Sequence, residues 1–177
     1  MAYPQGAASD PDKHATPLQT YNLFLIFSIS CVWLAQRGNG NRIDTSLLRN
    51  RALANLHTIL HTEPAVRCIS ALALLSLSAI YDWGGIDHVS ITPIVGELVM
   101  ATELHRQPPA NLSDEEKNRR RLLFWGIYSM DRAVAGNIHS EIFFNDKDII
   151  TVEFPTQIDP LGSLGEHFVR ASCPGTC

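Results

Sequence analysis

The chain has 177 residues, of which 45% are apolar, and this is enough for one domain with a buried core. Its 14 basic and 18 acidic residues give a formal net charge of -4. That balance excludes a general electrostatic attraction to nucleic acid or to an anionic membrane surface. The four cysteines form neither a disulfide framework nor a metal cluster, so a reducing, intracellular setting is predicted.

The N-terminal part of the chain predicts a lead-in followed by two helices. Residues 1–17 are rich in Pro, Gly, Ser and Asp, which predicts a disordered segment. A first helix is expected over Leu18–Gln36, closed by the glycines and asparagines of Gly38–Asn41. Asp44 or Thr45 then caps a second, amphipathic helix. Its predicted inward side chains are Leu48, Ala52, Leu56 and Ile59.

Two nearly uncharged runs, Leu23–Ala35 and Ile69–Tyr81, raise the question of membrane spans. A span needs about 20 apolar residues, and both runs are shorter, so both are predicted to be buried core helices. The second run belongs to a third helix that starts around Thr62–Pro64 and stops before Gly84-Gly85. Because this helix is apolar on all sides, we expect it at the centre of the fold.

The fourth predicted helix begins at Thr92-Pro93, where a capping residue precedes a proline, and it ends before Pro108-Pro109. It is expected to turn four apolar side chains inward: Ile94, Leu98, Met100 and Ala101. Beyond the fifth helix, Asp146–Pro155 reads as an extended segment and Thr156–Cys177 as a loop-like tail.

The fifth helix, predicted over Ser113–Gly136, has the strongest start signal, because Ser113 and Glu116 form a capping box. Its expected inward stripe is Leu123, Ile127, Met130 and Val134. Favourable ion pairs are predicted from Glu115 to Arg119 and from Glu116 to Arg120. The chain is therefore predicted to be all-α, an irregular array of about five helices with disordered termini and one domain over residues 18–155.

Four sequence features, in order, resemble the regulatory middle region of the fungal zinc-cluster transcription factors. They are Ile69–Tyr81, the triplet Leu104-His105-Arg106, the run EKNRRRLLFWGIYSMDR at Glu116–Arg132 and the run DIITVEFP at Asp148–Pro155. The resemblance covers roughly Leu23–Pro155. It implies that the matching motif residues have structural roles: Leu104, His105, Arg106, Arg119, Arg120, Arg121, Leu123, Phe124, Trp125, Tyr128, Asp131, Arg132, Asp148 and Pro155.

The resemblance implies an all-α regulatory region that lies C-terminal to a separate DNA-binding module in a nuclear protein. The chain departs from the family at two places. Glu103 stands where the family usually has glycine, and Gly136–Ser140 replaces its Gly-Arg-Pro-Pro loop. The second departure leaves the conformation of the connecting loop open.

The chain also lacks the family's zinc cluster, which needs six thiolates within about 30 residues, whereas the first cysteine here is Cys31 in an apolar run. No cofactor is expected in this chain; zinc would belong only to the missing DNA-binding module of a full-length relative. The family's regulatory region normally continues further, so we expect a fragment, a degenerate paralogue or a gene model cut at both ends.

Several residues are of types that can carry chemistry, but a structural role is favoured for each. Arg119–Arg121 reads as salt-bridged surface rather than a phosphate site, and Phe124, Trp125 and Tyr128 read as core. Asp131 is expected to fasten its helix to a neighbour through backbone amides or an arginine. His57 and His61 lie one helical turn apart, but they lack the glutamate of the H-E-x-x-H protease motif.

The sequence thus predicts a regulatory or protein-interaction module of a transcription factor that is not an enzyme. Its partners would be proteins or the missing parts of the factor, with no direct nucleic-acid binding and no membrane. One alternative is a helical small-ligand sensor, with a small-molecule effector in an apolar pocket between helices three, four and five. Another is a small helical enzyme using His105, Asp131 or His139, which no spacing in the sequence supports.

Overall fold

The fold was obtained as a computed structural model. It describes residues 15–38, 44–81, 87–138, 142–144 and 151–156. Within these ranges the secondary structure is five helices and no strand, which confirms the predicted all-α class. The helices are α1 (Pro17–Gln36), α2 (Ser46–Thr62), α3 (Ala65–Tyr81), α4 (His88–Ala101) and α5 (Asp114–Ile138).

The chain divides into two compact units, Met1–Glu63 and Pro64–Cys177, which are described separately. The first contains α1 and α2, called the helical pair below, and the second contains α3 to α5, called the three-helix unit. The sequence predicts one domain over residues 18–155, and these domain boundaries stay predictions. Most of the predicted lead-in and of the predicted tail lies outside the described residues.

In the helical pair, α1 begins at a complete capping box. The Thr16 hydroxyl accepts a hydrogen bond from the Gln19 amide, and the Gln19 side chain accepts one from the Thr16 amide. The α1 face that packs on α2 buries Tyr21, Leu25 and Ser28. Burial raises the pKa of the Tyr21 phenol well above its usual range, because the phenolate would lose its hydration. The phenol is therefore neutral in the folded pair.

The start of α2 agrees with the sequence. The Asp44 carboxylate accepts a hydrogen bond of 2.9 Å from the Ser46 amide, and the hydrogen bonds from Ser46 lower the pKa of Asp44. Ala52 and Ile59 are fully buried, as predicted, while Leu48 and Leu56 are partly buried. The helix therefore presents the expected apolar face to α1.

The prediction that Leu23–Ala35 forms a buried core helix is wrong for most of its large side chains. Only Leu25 and Ser28 of this run are buried, whereas Phe27 is 53% exposed. Helical periodicity turns half of an apolar helix away from a single neighbour, and composition alone does not show this. By length and composition α1 is also long and apolar enough to cross a membrane.

In the three-helix unit, α3 has the central place predicted for it, packing on both α4 and α5. Its buried face carries Cys68, Ile69, Ala71, Ala73, Leu75, Ser76, Ser78 and Ala79. The small side chains among them allow close approach of the neighbouring helices. The apolar core of the unit joins Ile69 of α3 to Val95 and Val99 of α4 and to the aromatic residues of α5.

The predicted start of α4 at Thr92-Pro93 is wrong. The helix begins at His88, where the Asp87 side chain accepts a hydrogen bond from the Val89 amide. Pro93 lies inside the helix, one turn after its start, where it removes only one backbone hydrogen bond. Of the predicted inward side chains, Ile94 is 52% exposed, whereas Leu98 and Met100 pack on the core. The buried residues of α4 are Val95, Gly96 and Val99.

The fifth helix begins where the sequence predicts, after Ser113, whose hydroxyl accepts a hydrogen bond of 3.2 Å from the Glu116 amide. The Glu116 carboxylate, the other member of the predicted capping box, accepts a hydrogen bond from Arg119. The predicted inward stripe packs on the core: Ile127 and Val134 are buried, and Leu123 and Met130 are partly buried.

Candidate functional site

The C-terminal half of α5 holds a short segment of chain through two adjacent side chains. The Asp131 carboxylate, 3% exposed, accepts hydrogen bonds of 3.2 Å from the backbone amides of Phe143 and Phe144. Arg132 donates to the Phe144 carbonyl oxygen at 2.7 Å. Asp131 and Arg132 together are called the clamp below. The clamp satisfies donors and an acceptor of one backbone stretch, which is the role that the sequence predicts for Asp131.

The clamp is itself supported by aromatic side chains. Arg132 also donates to the Tyr128 hydroxyl at 3.1 Å and lies 4.5 Å above the centre of the Tyr128 ring. Phe144 is buried edge-on against Phe124. The charged groups of the clamp are therefore enclosed by rings, where an electrostatic hydrogen bond is stronger than in water.

The Phe143 ring lies directly on Gly96 of α4. A Cβ atom placed on Gly96 would come within 2.5 Å of this ring, so only glycine fits there without a shift of Phe143. Segment 142–144 is thus held by α5 through hydrogen bonds and by α4 through close contact. No local sequence pattern indicates the Gly96 contact, because its partner lies far along the chain.

The N-terminal half of α5 holds a second segment, residues 151–156. The Trp125 indole donates to the Glu153 carbonyl oxygen at 3.1 Å, and its ring stacks on Phe154 with centroids 4.2 Å apart. Two turns earlier, Asn118 accepts a hydrogen bond of 2.9 Å from the Thr156 amide. The segment therefore runs along α5 and is tied to it by both backbone and side-chain contacts.

The three motif arginines each have intramolecular partners. Arg119 pairs with Glu115 at 2.8 Å, as predicted, and also with Glu116 at 3.1 Å. The predicted Glu116–Arg120 pair is not formed: Arg120 donates to the Thr102 carbonyl oxygen at 3.5 Å. The pairing predicted from the sequence is wrong because the Arg119 side chain reaches the carboxylates of both Glu115 and Glu116.

Arg121 is more enclosed than Arg119: its side chain is 13% exposed, against 62% for Arg119. It pairs with the Glu153 carboxylate at 2.8 Å and donates to the Gln107 amide oxygen at 3.4 Å. One guanidinium group thus joins α5 to two other parts of the unit. Electrostatics within the unit, rather than an external anion, accounts for its position.

The Leu104-His105-Arg106 triplet follows a residue with unusual backbone geometry. Glu103 has a φ of 55°, in the left-handed region that favours glycine. Leu104 is buried, and the His105 carbonyl oxygen accepts hydrogen bonds from the Thr151 and Val152 amides. The triplet therefore anchors the start of the second segment. Arg106 is exposed and pairs with Glu103, at 3.0 Å.

His105 is 2% exposed, and neither of its ring nitrogens has a hydrogen-bond partner among the described residues. Such a group costs free energy unless something satisfies it. Because Asp131 is engaged by backbone amides, the described residues do not assemble the acid–base pair that the enzyme alternative needs. His139, the third residue of that alternative, lies outside the described residues.

His57 and His61 stack at 4.2 Å between ring centroids, and His61 hydrogen-bonds the His57 carbonyl oxygen. No group of three or more potential metal ligands occurs in the described part of the chain. Of the remaining motif residues, Phe124, Trp125 and Tyr128 are buried, Pro155 is partly buried, and Asp148 lies outside the described residues. The family-specific role assigned to the motif as a set stays a prediction.

Comparison with known protein families identifies the domain in which these contacts occur. The chain matches the model of the fungal specific transcription factor domain over residues 7–166. This range is most of the chain, so the protein belongs to that family.

A curated relative agrees with the family. The chain is 25% identical, over 150 residues, to the negative regulator of pleiotropic drug resistance STB5 of Candida glabrata. The aligned part is 81% of this chain but 15% of that regulator. The chain therefore corresponds to a small part of the relative. No solved structure matches it.

Proposed function

We propose that this chain is a regulatory, protein-interaction module that acts in the nucleus and transmits partner binding to a DNA-binding domain carried elsewhere. Membership of a transcription factor family supports the nuclear setting. The observation that carries the proposal is the engagement of α5. Its motif residues hold two surface segments, so the helix connects the surface of the three-helix unit to its core.

The engagement of the arginines argues against direct DNA binding by this chain. Phosphate contacts need basic side chains that are free to reach the backbone of a duplex. Arg119 is shared between two carboxylates, and Arg121 is enclosed and paired with Glu153. The formal net charge of -4 adds repulsion. Contacts with proteins, rather than with DNA, fit this surface.

The apolar side chains on the held segments supply the contact surface for a protein partner. Phe154 is 40% exposed while its other face stacks on Trp125, and Ile142 is 50% exposed beside the clamped Phe143. Exposed apolar groups of this kind are enriched where proteins bind each other. A partner that moved Phe154 would act directly on Trp125, and through it on α5.

A tethered reporter assay tests the proposal. The full chain is fused to a heterologous DNA-binding domain in a fungal cell, and expression of a reporter with the cognate site is measured. We expect the fusion to change reporter expression relative to the DNA-binding domain alone. Phe154→Ser should abolish the change, because it removes the exposed ring that couples to Trp125.

Val89→Ser is the matched control, since Val89 is similarly exposed, at 46%, but belongs to neither held segment. It should leave the reporter response intact, and circular dichroism should show both variants folded. Reporter expression equal to that of the DNA-binding domain alone, with the fusion present in the nucleus, would contradict the proposal.

The sensor alternative has one specific observation in its favour: the buried His105 ring has no hydrogen-bond partner in the part of the chain that the structure describes. A polar group of an effector could satisfy these nitrogens. A library of small apolar compounds carrying one polar group distinguishes the alternatives. A compound that raises the melting temperature of the wild-type chain, but not of His105→Leu, would favour the sensor.

A further inference from the structure

The outward face of α1 is a continuous apolar surface in the helical pair. It carries five large apolar side chains: Leu23 (52% exposed), Ile26 (54%), Phe27 (53%), Trp33 (41%) and Leu34 (44%). The opposite face of the same helix packs on α2. Single exposed apolar residues are ordinary on a protein surface, but a contiguous patch of this kind marks an interaction site.

The exposed positions follow a heptad pattern. Gln19, Leu23, Ile26, Ser30, Trp33 and Arg37 are all exposed and are separated by alternating steps of four and three residues. Phe27 and Leu34 flank this stripe one heptad apart. Steps of four and three keep a stripe facing a second helix that crosses at about 20°. The spacing therefore suits packing against another helix along the whole length of α1.

The face can be buried without leaving a charge unpaired. Pro17–Gln36 contains no charged side chain. The Ser30 hydroxyl is already bonded to the Ile26 carbonyl oxygen at 2.8 Å. At the end of the stripe, the Arg37 guanidinium lies 4.0 Å from the centre of the Trp33 ring, where it can remain at the rim. A partner thus needs to supply only an apolar, helical surface.

We propose that this face binds the same face of a second copy of the chain, so that two helical pairs associate through their α1 helices. A heptad stripe whose one charged side chain, Arg37, lies at its end can pack against itself, as a two-fold symmetric contact requires. Five large side chains, each about half exposed, amount to roughly 500 Å² per copy and roughly 1,000 Å² in total. That total is at the lower limit for a specific interface, so the dimer is weak, with a Kd in the micromolar range.

A lipid bilayer is the competing occupant, since α1 passes the length and hydropathy test for a span. A helix inside a bilayer needs an apolar environment on all sides. Here the inner face of α1 packs on α2, a helix that carries Arg49, Arg51 and Asn55. Insertion of α1 would either strip it from α2 or take these polar groups into lipid. The packing of α1 on α2 thus favours a second copy.

Sedimentation of the purified full chain tests the proposal. Between about 1 and about 100 µM, the wild-type chain should pass from monomer to dimer. Ile26→Glu and Ile26→Lys, each alone, should weaken association by about a hundredfold or more, because an unpaired charge would be buried. An equimolar mixture of the two variants should restore a dimer, since the opposite charges then pair across the interface.

Leu47→Glu is the matched control, because Leu47 is exposed at 67% but belongs to α2. It should dimerise like the wild type. A wild-type chain that stays monomeric at the highest concentration overturns the proposal, whether or not it binds phosphatidylcholine vesicles. So does a mixture of the two Ile26 variants that stays monomeric, or an Ile26→Glu chain that dimerises as tightly as the wild type.

Discussion

The three-helix unit and the helical pair bury their large apolar side chains to different extents. In the three-helix unit, the large residues of α5 are enclosed by α3, α4 and two segments of chain, and Phe124 is fully buried. In the helical pair, α1 has no charged side chain but covers only one of its faces, so Phe27 remains 53% exposed.

The difference shows what hydrogen-bonded segments add to helix packing. Residues 142–144 and 151–156 form no helix, yet they cover α5 because Asp131, Trp125 and Asn118 bind their backbone groups. No comparable segment is present on α1 in the described part of the helical pair. One unit completes its own core, whereas the other leaves a surface for a partner.

The largest expected effect is from Trp125→Ala, which should lower the free energy of unfolding by about 3–5 kcal/mol. The substitution removes a buried ring, its stack on Phe154 and its hydrogen bond to Glu153. Phe27→Ala in α1 is the contrasting variant and should cost less than about 1 kcal/mol in dilute protein. Urea unfolding measures both. Similar losses for the two would remove the difference between the units.

The clamp should contribute less than Trp125 but more than a surface contact. Asp131→Ala leaves the amides of Phe143 and Phe144 without their acceptor and should cost about 2–3 kcal/mol. Asp131→Asn keeps one acceptor oxygen and should cost less. Hydrogen exchange at these two amides is the direct readout. Unchanged protection in Asp131→Ala would show that the clamp does not hold the segment.

Two helix glycines provide a matched pair for the packing of Phe143. Gly96→Ala should destabilise by about 1–3 kcal/mol, because its Cβ would meet the Phe143 ring. Gly126→Ala meets nothing within 4 Å and should stabilise by about 0.5–1 kcal/mol through lower backbone entropy in the unfolded chain. Thermal melts compare the two. Stabilisation by both would mean that Phe143 does not pack on α4.

The smallest effect is expected at the turn after α4. Glu103→Gly should stabilise by up to about 1 kcal/mol, because glycine adopts the observed φ of 55° without strain. The lost ion pair with Arg106 is exposed and contributes little. Glu103→Ala keeps the strain and serves as the control. Equal melting temperatures for the glycine and alanine variants would argue against a left-handed backbone here.

Much of this fold could be predicted from the sequence, because local signals were strong at several points. The start of α5 at Ser113 and the end of α1 at Gln36 follow from capping and glycine signals. The anchoring of Asp131 follows from the cost of burying a carboxylate beside an apolar face. These features depend on residues that are close together in the chain or on a single energetic rule.

The features that could not be predicted depend on two competing local signals or on contacts between residues that are far apart in the chain. Thr92-Pro93 is a good start signal, but Asp87 supplies an earlier cap, and sequence alone does not rank the two. The need for glycine at Gly96 arises from Phe143, and the site of Arg121 from Glu153. The exposure of the outward face of α1 could not be predicted either, because hydrophobic periodicity indicates a helix but not how many neighbours it packs against.

The central claim is that the arginines of α5 hold the fold and that the chain acts through contacts with proteins rather than with DNA. A fluorescence anisotropy titration tests it most directly, with random and promoter-derived duplexes at low and physiological salt. We predict no sequence-dependent binding at physiological salt, and any weak retention at low salt should vanish as ionic strength rises. A sub-micromolar, sequence-dependent affinity that persists at the higher salt would contradict the claim and make the Arg119–Arg121 turn a recognition element.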